Sequence, residues 1–186
     1  MLHKGTQSIK TERLTLRRFS TNDAEAMFSN WCNDARVSEY MSWEPHGNIA
    51  VTRAILGDWV MAYSNPAYYH WGIEMGGELI GSISAHNVNE RIRSCEVGYA
   101  LSYDKWNMGI MTEALTALLD FLFDEVGFNR VGALHRLENP ASGRVMEKCG
   151  MQLEGIIRQI VSDDAGNFYD CRQYSIVASD RKQDRS

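Results

Sequence analysis

The stretch YDKWNMGIMTEALTALLDFLF, residues 103–123, joins a polar loop with one glycine to a long apolar helix. Four polar residues of this helix recur three or four positions apart, and nearly all the others are apolar: Glu113, Thr116, Asp120 and Asp124. This spacing puts the four on one narrow face, so we expect the rest of the helix surface to be buried against a sheet. We predict that the helix ends near Gly127.

The start of this helix is a candidate anion site. The first turn of a buried helix leaves several N–H groups without partners, and the aligned peptide dipoles make it partially positive. Gly109 has no Cβ, so a phosphate group is able to approach the main chain there. A glycine before a helix is also compatible with a simple turn. The chain contains neither GxxxxGK[ST] nor GxGxxG, so its motifs support neither nucleoside triphosphate hydrolysis nor dinucleotide binding.

Composition and charge are those of an ordinary globular protein. The chain has 186 residues, 44% hydrophobic and 23% charged, with a formal net charge of −5. This charge argues against a nucleic-acid partner, because a phosphate backbone favours a basic face. No apolar run approaches the roughly 20 residues that span a bilayer, so no membrane partner is expected. We predict one domain over residues 1–179 and a solvated tail over residues 180–186.

The cysteines indicate a reducing, cytoplasmic setting. They are widely scattered without a CxxC pair, so no metal site is expected. The first residues, MLHKGTQSIKTERL, lack the apolar segment and cleavage pattern of a secretory leader. We therefore expect four free thiols, those of Cys32, Cys95, Cys149 and Cys171.

The hydrophobic pattern predicts an α/β architecture with a mixed sheet. A first strand is followed by two helices and three strands, then by helix, strand, helix and a final hairpin. The predicted strands cover residues 14–19, 68–75, 78–88, 94–102, 130–136, 154–162 and 168–178, and the predicted helices lie within 20–34, 48–64, 110–127 and 140–150.

A second helix start lies in ENPASGRVMEKCGM, residues 138–151. Asn139 occupies an N-cap position, Pro140 the first helical position, and Gly150 follows the end of the helix. Ser142 lies three positions after Asn139, at the same helix start. A well-capped short helix is sufficient to explain Asn139, Pro140 and Gly150, and the alternative is that side chains at this helix start face a ligand.

The strand before the polar loop has a carboxylate beside two small residues. Glu96, Gly98 and Ala100 share one strand face, which predicts an open trough next to the Glu96 side chain. Glu96 is therefore a candidate general base. The alternative is a solvated strand carboxylate without a chemical role.

Taken in this order, the motifs resemble the GNAT superfamily of acyl-CoA-dependent N-acetyltransferases. The resemblance is closest to its RimJ/RimL-like branch of ribosomal-protein and polyamine acetyltransferases. It covers nearly the whole chain. The superfamily loop [QR]-x-x-G-x-[GA] has Trp106, Gly109 and Met111 at its three places here. The segments that carry the resemblance are TERLTLRRF (11–19), YMSWEPH (40–46), CEVGYALSYDKWNMGIMTEAL (95–115) and ENPASGRVMEKCGM (138–151).

The resemblance implies a GNAT-like fold, with a mostly antiparallel mixed sheet, splayed central strands and flanking helices. Acetyl-CoA would bind in the wedge between residues 96–102 and 131–136, with its diphosphate on amides of about residues 106–111. The implied coenzyme-binding residues are Tyr99, Ala100, Leu101, Trp106, Asn107, Met108, Gly109, Ile110, Met111, Asn139 and Ser142.

The implied activity is transfer of an acetyl group by direct attack of a primary amine in a ternary complex. Glu96 would act as the base, directly or through water, and a backbone N–H near residues 99–101 would stabilise the oxyanion. Ser142 would donate a proton to the leaving thiolate, with Tyr169 as the second candidate. A covalent route through Cys149 and His135 is a less favoured alternative.

The acceptor is open between a protein or peptide N-terminus, a polyamine and another small amine. The resemblance places Tyr40, Trp43 and Glu44 in the acceptor pocket. Two other functions compete with catalysis: an acyl-CoA-binding regulatory module without turnover, and a nucleotide-phosphate-binding protein. We expect a monomer or a homodimer, the latter paired through the exposed final hairpin.

Overall fold

One sheet of eight strands runs through the described part of the chain, residues 1–183, in the computed structural model. In chain order the strands are β1 (Ile9–Lys10), β2 (Leu14–Arg17), β3 (Tyr69–Met75), β4 (Glu78–Asn89), β5 (Ser94–Leu101), β6 (Arg130–Arg136), β7 (Gln152–Ser162) and β8 (Phe168–Val177). Their spatial order is β1-β2-β3-β4-β5-β6-β8-β7. All neighbours are antiparallel except β5 and β6, which are parallel. The predicted α/β fold with a mixed, mostly antiparallel sheet is confirmed.

Helices flank this sheet. They are α1 (Ala24–Met27), α2 (Ala35–Ser38), α3 (Ile49–Ala62), α4 (Ile110–Asp120), α5 (Pro140–Lys148) and α6 (Ala178–Gln183). α1 continues into a π-helical turn over Phe28–Cys32, and α4 continues into another over Phe121–Val126. Asn48 begins α3 as an N-cap, because its side chain accepts a hydrogen bond from the Ala50 amide. The α4 segment ends at Gly127 in the left-handed conformation, as predicted. No helix within residues 1–183 is long and apolar enough to cross a bilayer.

The two faces of the sheet are buried in separate cores. On one face, apolar side chains of the central strands pack against α4, with Trp71 and Leu115 fully buried. On the other face, Phe19 packs with side chains of the first helices, including Trp31 and Leu56. Each such side chain contributes roughly 1.5–3 kcal/mol through burial. The predicted burial of the α4 surface is confirmed.

The sheet opens between its two parallel strands. β5 and β6 pair from Ser94 opposite Arg130 to Val97 opposite Ala133. Beyond this point β5 continues to Leu101 and β6 to Arg136 without pairing to each other. The predicted splay is confirmed, and it leaves one edge of β5 without a strand partner.

The end of the described chain differs from its prediction. Residues 180–183 belong to α6, and the Val177 amide donates to the Asp180 carboxylate. Arg181 pairs with Asp120 and lies 5.1 Å over the Phe123 ring. The prediction of a solvated tail is therefore corrected at Asp180 and Arg181, because both side chains find partners in the fold. Residues 184–186 lie outside the described residues. The single domain over residues 1–179 stays a prediction.

Candidate functional site

The loop between β5 and α4 presents a row of unpaired amides. Asn107 and Gly109 both adopt the left-handed conformation, with φ of 61° and 73°. Gly109 is the N-cap of α4 and no side chain caps this start; the first helical bond runs from Glu113 N to Gly109 O at 3.0 Å. Among the described residues, the amides of residues 107–112 have no acceptor. Such successive donors at a helix start form an anion cradle.

Trp106 has a different role from the one predicted for its amide. Its backbone N–H donates to Tyr103 O at 3.2 Å. The Trp106 amide is therefore not available to a diphosphate, which corrects the predicted range of binding amides, residues 106–111, at its first residue. The indole Nε1 donates to Leu101 O at 2.9 Å. Trp106 therefore closes the loop onto the end of β5.

A carboxylate from the polar stripe of α4 fixes this loop from behind. Glu113 accepts from Arg13 Nε at 2.6 Å and from the Thr11 hydroxyl at 2.5 Å, while Arg13 Nη1 donates to Met108 O at 3.0 Å. Burial alone would raise the pKa of Glu113, but the hydrogen bonds from Thr11 and Arg13 outweigh it and lower the pKa. The cradle is thus held in position before any ligand arrives.

A cavity of about 350 Å³ occupies the wedge between β5 and β6 and reaches the starts of α4 and α5. All but one of the predicted coenzyme-binding residues line it. The exception is Met108, whose side chain is exposed to solvent. The lining members of the predicted set are Tyr99, Ala100, Leu101, Trp106, Asn107, Gly109, Ile110, Met111, Asn139 and Ser142.

The lining of this cavity is cationic in a chain whose net charge is −5. Four positive side chains, Lys105, Arg136, Arg144 and Lys148, line it, and no Asp or Glu is among its lining residues within the described chain. Lys148 also lines a wider, more open groove beside Gly109, which places it at the α4 start. Unpaired amides and clustered cations at one helix start fit a diphosphate group.

The free edge of β5 supplies further donors. The Ser102 amide donates to Ile80 O on β4 at 2.8 Å. Because amides of a strand alternate in direction, those of Tyr99 and Leu101 face the wedge instead. An extended ligand is able to pair with this edge as an added strand would.

Tyr99 and Ser142 meet inside the cavity. The Tyr99 hydroxyl lies 2.9 Å from Ser142 Oγ and donates to Ser142 O at 3.1 Å. Burial raises the pKa of Tyr99, so its hydroxyl keeps its proton at neutral pH. Asn139 caps α5 by accepting from the Ser142 amide at 3.2 Å, which uses its side-chain oxygen. The helix-cap reading of Asn139 is confirmed, and its nitrogen remains available to a ligand in the cavity.

Glu96 lies beside the opening of the sheet rather than in the cavity. It pairs with Gly132 one residue before the strands separate. Its carboxylate accepts from Asn87 Nδ2 at 2.7 Å and lies 3.9 Å from His86 Nε2, with 37% of the side chain exposed. Water therefore reaches this carboxylate.

The open trough predicted next to Glu96 is present only in part. Gly98 and Ala100 line the cavity, but Glu96 does not. The His86 ring narrows the trough near Gly98, since a Cβ on Gly98 would lie 3.2 Å from His86 Cε1. The two small residues therefore open onto the wedge, while the cross-strand neighbour of Glu96 takes up space at the Glu96 end.

Tyr169 is not placed to donate a proton in the wedge. Its hydroxyl donates to Asp163 at 2.7 Å within the final hairpin, and its ring packs under Arg136. It does not line the cavity. This geometry corrects the prediction of Tyr169 as the second proton donor, because the hairpin turns the hydroxyl toward Asp163.

Of the three residues predicted to contact the acceptor, one lines the cavity and two do not. Tyr40 lines the cavity, whereas Trp43 and Glu44 do not. Trp43 packs beside the His46 ring, 5.6 Å between centroids, and Glu44 is exposed. Only Tyr40 stands where a molecule in the wedge would contact it.

Sequence reasoning missed several lining residues. Arg144 and Lys148 could have been predicted as a pair, since residues four positions apart lie on the same face of a helix such as α5. Arg136 and the hydroxyl of Tyr99 had none, because their contacts join distant parts of the chain. Cys149 does not line the cavity and burial raises the pKa of its thiol, so the covalent route has no support.

Comparisons with known proteins agree with this geometry. The family profile described as Acetyltransferase (GNAT) domain matches residues 13–152. The chain is 33% identical over 171 residues to the uncharacterized N-acetyltransferase YoaA of Bacillus subtilis, covering 91% of this chain and 96% of that protein. It is 27% identical over 157 residues to the ribosomal-protein-serine acetyltransferase of Escherichia coli, covering 83% and 88%. A crystal structure of a GNAT-family acetyltransferase from Bacillus anthracis matches with a TM-score of 0.79 at 28% identity, covering 92% and 98%.

Proposed function

The chain belongs to the GNAT acetyltransferase family and is an N-acetyltransferase, and from this premise we propose that it transfers the acetyl group of acetyl-CoA to a primary amine in a ternary complex. One observation carries the proposal. The amides of residues 107–112 lack acceptors at the mouth of a cationic cavity that no carboxylate lines within the described chain. A coenzyme with a diphosphate and an extended arm fits that arrangement.

The coenzyme would be held mainly by the main chain. The amides at the start of α4 would bind the diphosphate, with Arg144 and Lys148 balancing its charge. The free edge of β5 at Leu101 would pair with the extended pantetheine arm. Met111 at the last motif position does not oppose this, because the contact is made by its amide.

The reaction converts a thioester and an amine into an amide and a thiol. Acetyl-CoA supplies an acetyl group on sulfur: the C–N bond forms, the C–S bond breaks, the amine gives up one proton and the leaving sulfur takes one. An alkylamine is mostly protonated at neutral pH, since its reference pKa is about 10.4. The protein therefore has to remove that proton and to supply one to the sulfur.

Glu96 is the proposed base, acting through water. Its carboxylate is reached by solvent and lies beside the point where β5 and β6 separate. It lies outside the cavity lining, so a bridging water fits better than direct contact. The wedge-facing amide of Tyr99 is the proposed donor to the carbonyl oxygen.

Ser142, together with Tyr99, is the proposed proton source for the sulfur. Because their hydroxyls lie 2.9 Å apart, we expect them to work as one unit. Ser142→Ala and Tyr99→Phe should each lower kcat about tenfold, since a departing thiolate with a pKa near 8.5 benefits from a proton donor but does not require one. The double variant should be no more than about twofold slower than the slower single variant. Steady-state kcat and the acetyl-CoA dissociation constant measure this.

Tyr103→Phe is the control for this pair, because Tyr103 is exposed and contacts Arg36 instead. Its kcat should equal that of the wild type. If the two single effects multiply in the double variant, the hydroxyls act separately and the shared role is refuted.

The acceptor is a primary amine: a protein or peptide N-terminus, a polyamine or another small amine. We place the reaction in the cytoplasm, which agrees with the four free cysteines. The final hairpin would serve a homodimer, because β7 is an edge strand with exposed apolar residues such as Ile156 and Ile160.

A thiol-release assay tests the function. Acetyl-CoA is incubated with a panel of peptides, polyamines and small amines, and free thiol and acetylated amine are quantified together. We expect equal amounts of both products with at least one acceptor. Tight acetyl-CoA binding without thiol release across the panel would favour the regulatory module, and a thermal shift with ATP or NADH alone would favour the nucleotide-phosphate binder.

A further inference from the structure

A largely buried arginine that lines the wedge has only some of its hydrogen-bond donors paired within the described residues. Arg136 ends β6, and only 12% of its side chain is exposed. Its guanidinium lies 3.3 Å over the Tyr169 ring, and the Tyr40 ring is 5.8 Å away. Because a ring covers one flat face, hydrogen bonding is left to the edges of the group.

The edges of this guanidinium are only partly used. Nη1 donates to Glu39 O at 3.1 Å. Nε is buried and has no hydrogen-bond partner within the described residues. The carboxylate of Glu138 lies 3.7 Å from Nε, beyond hydrogen-bond distance, and belongs to a side chain that is 55% exposed. A buried cation with an unpaired donor is costly, so a ligand that accepts from it binds with a gain.

The position of Arg136 separates it from the other cations of the cavity. Arg136 and Tyr40 line the same cavity as Tyr99 and Ser142. Arg136 contacts the segment after α2 and the final hairpin, whereas Lys148 lies beside Gly109 at the α4 start. The diphosphate cradle therefore does not engage Arg136. Its ion-pair partner Glu138 lies 3.7 Å from Nε on a half-exposed side chain, so a ligand anion is able to replace it.

We propose that Arg136 binds a carboxylate of the acceptor, so that the acceptor is an amine with an anionic group close by, such as an amino acid or a short peptide. The inference rests on the proposed acetyl transfer. A guanidinium edge matches the two oxygens of a carboxylate in spacing and charge. A polyamine is disfavoured, because its second ammonium would meet a buried positive charge.

Matched acceptor pairs test the proposal. Alanine and alaninamide, dialanine and its amide, and Ala-Asp-amide and Ala-Asn-amide each differ in one carboxylate. Each pair is compared at equal concentration of unprotonated amine. Wild-type kcat/KM should be about tenfold or more higher for the carboxylate member of at least one pair. Arg136→Gln should abolish that preference by slowing the carboxylate member, with acetyl-CoA affinity changed less than about twofold.

Two further variants guard against a loss of folding. Arg136→Lys keeps the charge without the forked edge, so its preference should be intermediate. Arg158→Gln removes the same charge from an exposed site on β7 outside the cavity and should keep the full preference. Melting temperatures of all variants show whether the fold survives.

The outcomes separate this inference from the proposed function. If amines are acetylated but no pair shows a preference, or if Arg136→Gln slows both members of a pair equally, carboxylate recognition is overturned and acetyl transfer stands. If no amine is acetylated at all, the proposed function fails and carries this inference with it.

Discussion

Glu96→Gln is expected to lower kcat about 100- to 10,000-fold at pH 7, which is the range over which a positioned general base accelerates a reaction. The substituted amide keeps the size of the side chain and its bond to Asn87, but it accepts no proton. The acetyl-CoA dissociation constant should stay within about twofold, because Glu96 does not line the coenzyme cavity. Initial rates of thiol release and equilibrium binding measure the two quantities.

The pH dependence makes this prediction sharper. Without the base, only the amine that is already neutral reacts. That fraction rises by up to about tenfold per pH unit below the pKa of the amine, which is about 8 for a peptide N-terminus and about 10.4 for an alkylamine. The kcat of Glu96→Gln should therefore climb steeply from pH 7 to pH 9, while that of the wild type rises less. The ratio of the two rates should narrow as the pH rises.

Glu12→Gln is the matched control, because it removes an exposed carboxylate far along the chain from Glu96. Its rate should equal that of the wild type at every pH. A Glu96→Gln rate that parallels the wild-type rate from pH 7 to pH 9 would show that another group removes the proton.

The sequence predicted the order of the elements well, because each depends on local patterns. The alternation in β3 and β4, joined by Gly76-Gly77 with φ of 60° and 85°, gave the predicted hairpin. The apolar surface of α4 predicted its burial. The short elements β1, α2 and α6 were missed, since segments of two to six residues carry too little pattern.

The site was predictable only where main chain defines it. Gly109 and the uncapped α4 start were visible in the sequence because a helix start has fixed chemistry. The contact of Tyr99 with Ser142 was not visible, since it joins residues 43 positions apart. Arg136 over Tyr169 depends on the pairing of β6 with β8, which local patterns do not fix.

The errors have the same origin. The trough was predicted from one strand, but its Glu96 end is narrowed by His86, which comes from the neighbouring strand. The prediction for Tyr169 failed for a similar reason. The direction of its side chain at the end of the hairpin brings its hydroxyl to Asp163 instead of the wedge. Strand periodicity predicts which face a residue occupies, and register decides what it meets there.

Gly109→Val is expected to weaken acetyl-CoA binding about 100-fold. Space is not the obstacle, since a Cβ on Gly109 would lie 3.7 Å from Arg13 Nη2. The obstacle is the left-handed φ of 73°, which costs a β-branched residue roughly 1–3 kcal/mol. The loop should relax and turn amides of the α4 start away from the diphosphate, and each charge-assisted bond lost costs about 1.5–3 kcal/mol. Isothermal titration calorimetry with acetyl-CoA measures the loss.

A second glycine-to-valine variant, at a turn away from the α4 start, distinguishes a specific loss of coenzyme binding from a general loss of stability. Gly166 has a φ of 82°, lies in the turn between β7 and β8, and has open space around its Cβ position. Gly166→Val should lower the melting temperature about as much as Gly109→Val, yet bind acetyl-CoA like the wild type. Acetyl-pantetheine, which lacks the diphosphate, should bind wild type and Gly109→Val equally. If wild type, Gly109→Val and Gly166→Val bind acetyl-CoA with equal affinity, the amides at the start of α4 do not bind the coenzyme, because distorting their loop would have had no effect on binding.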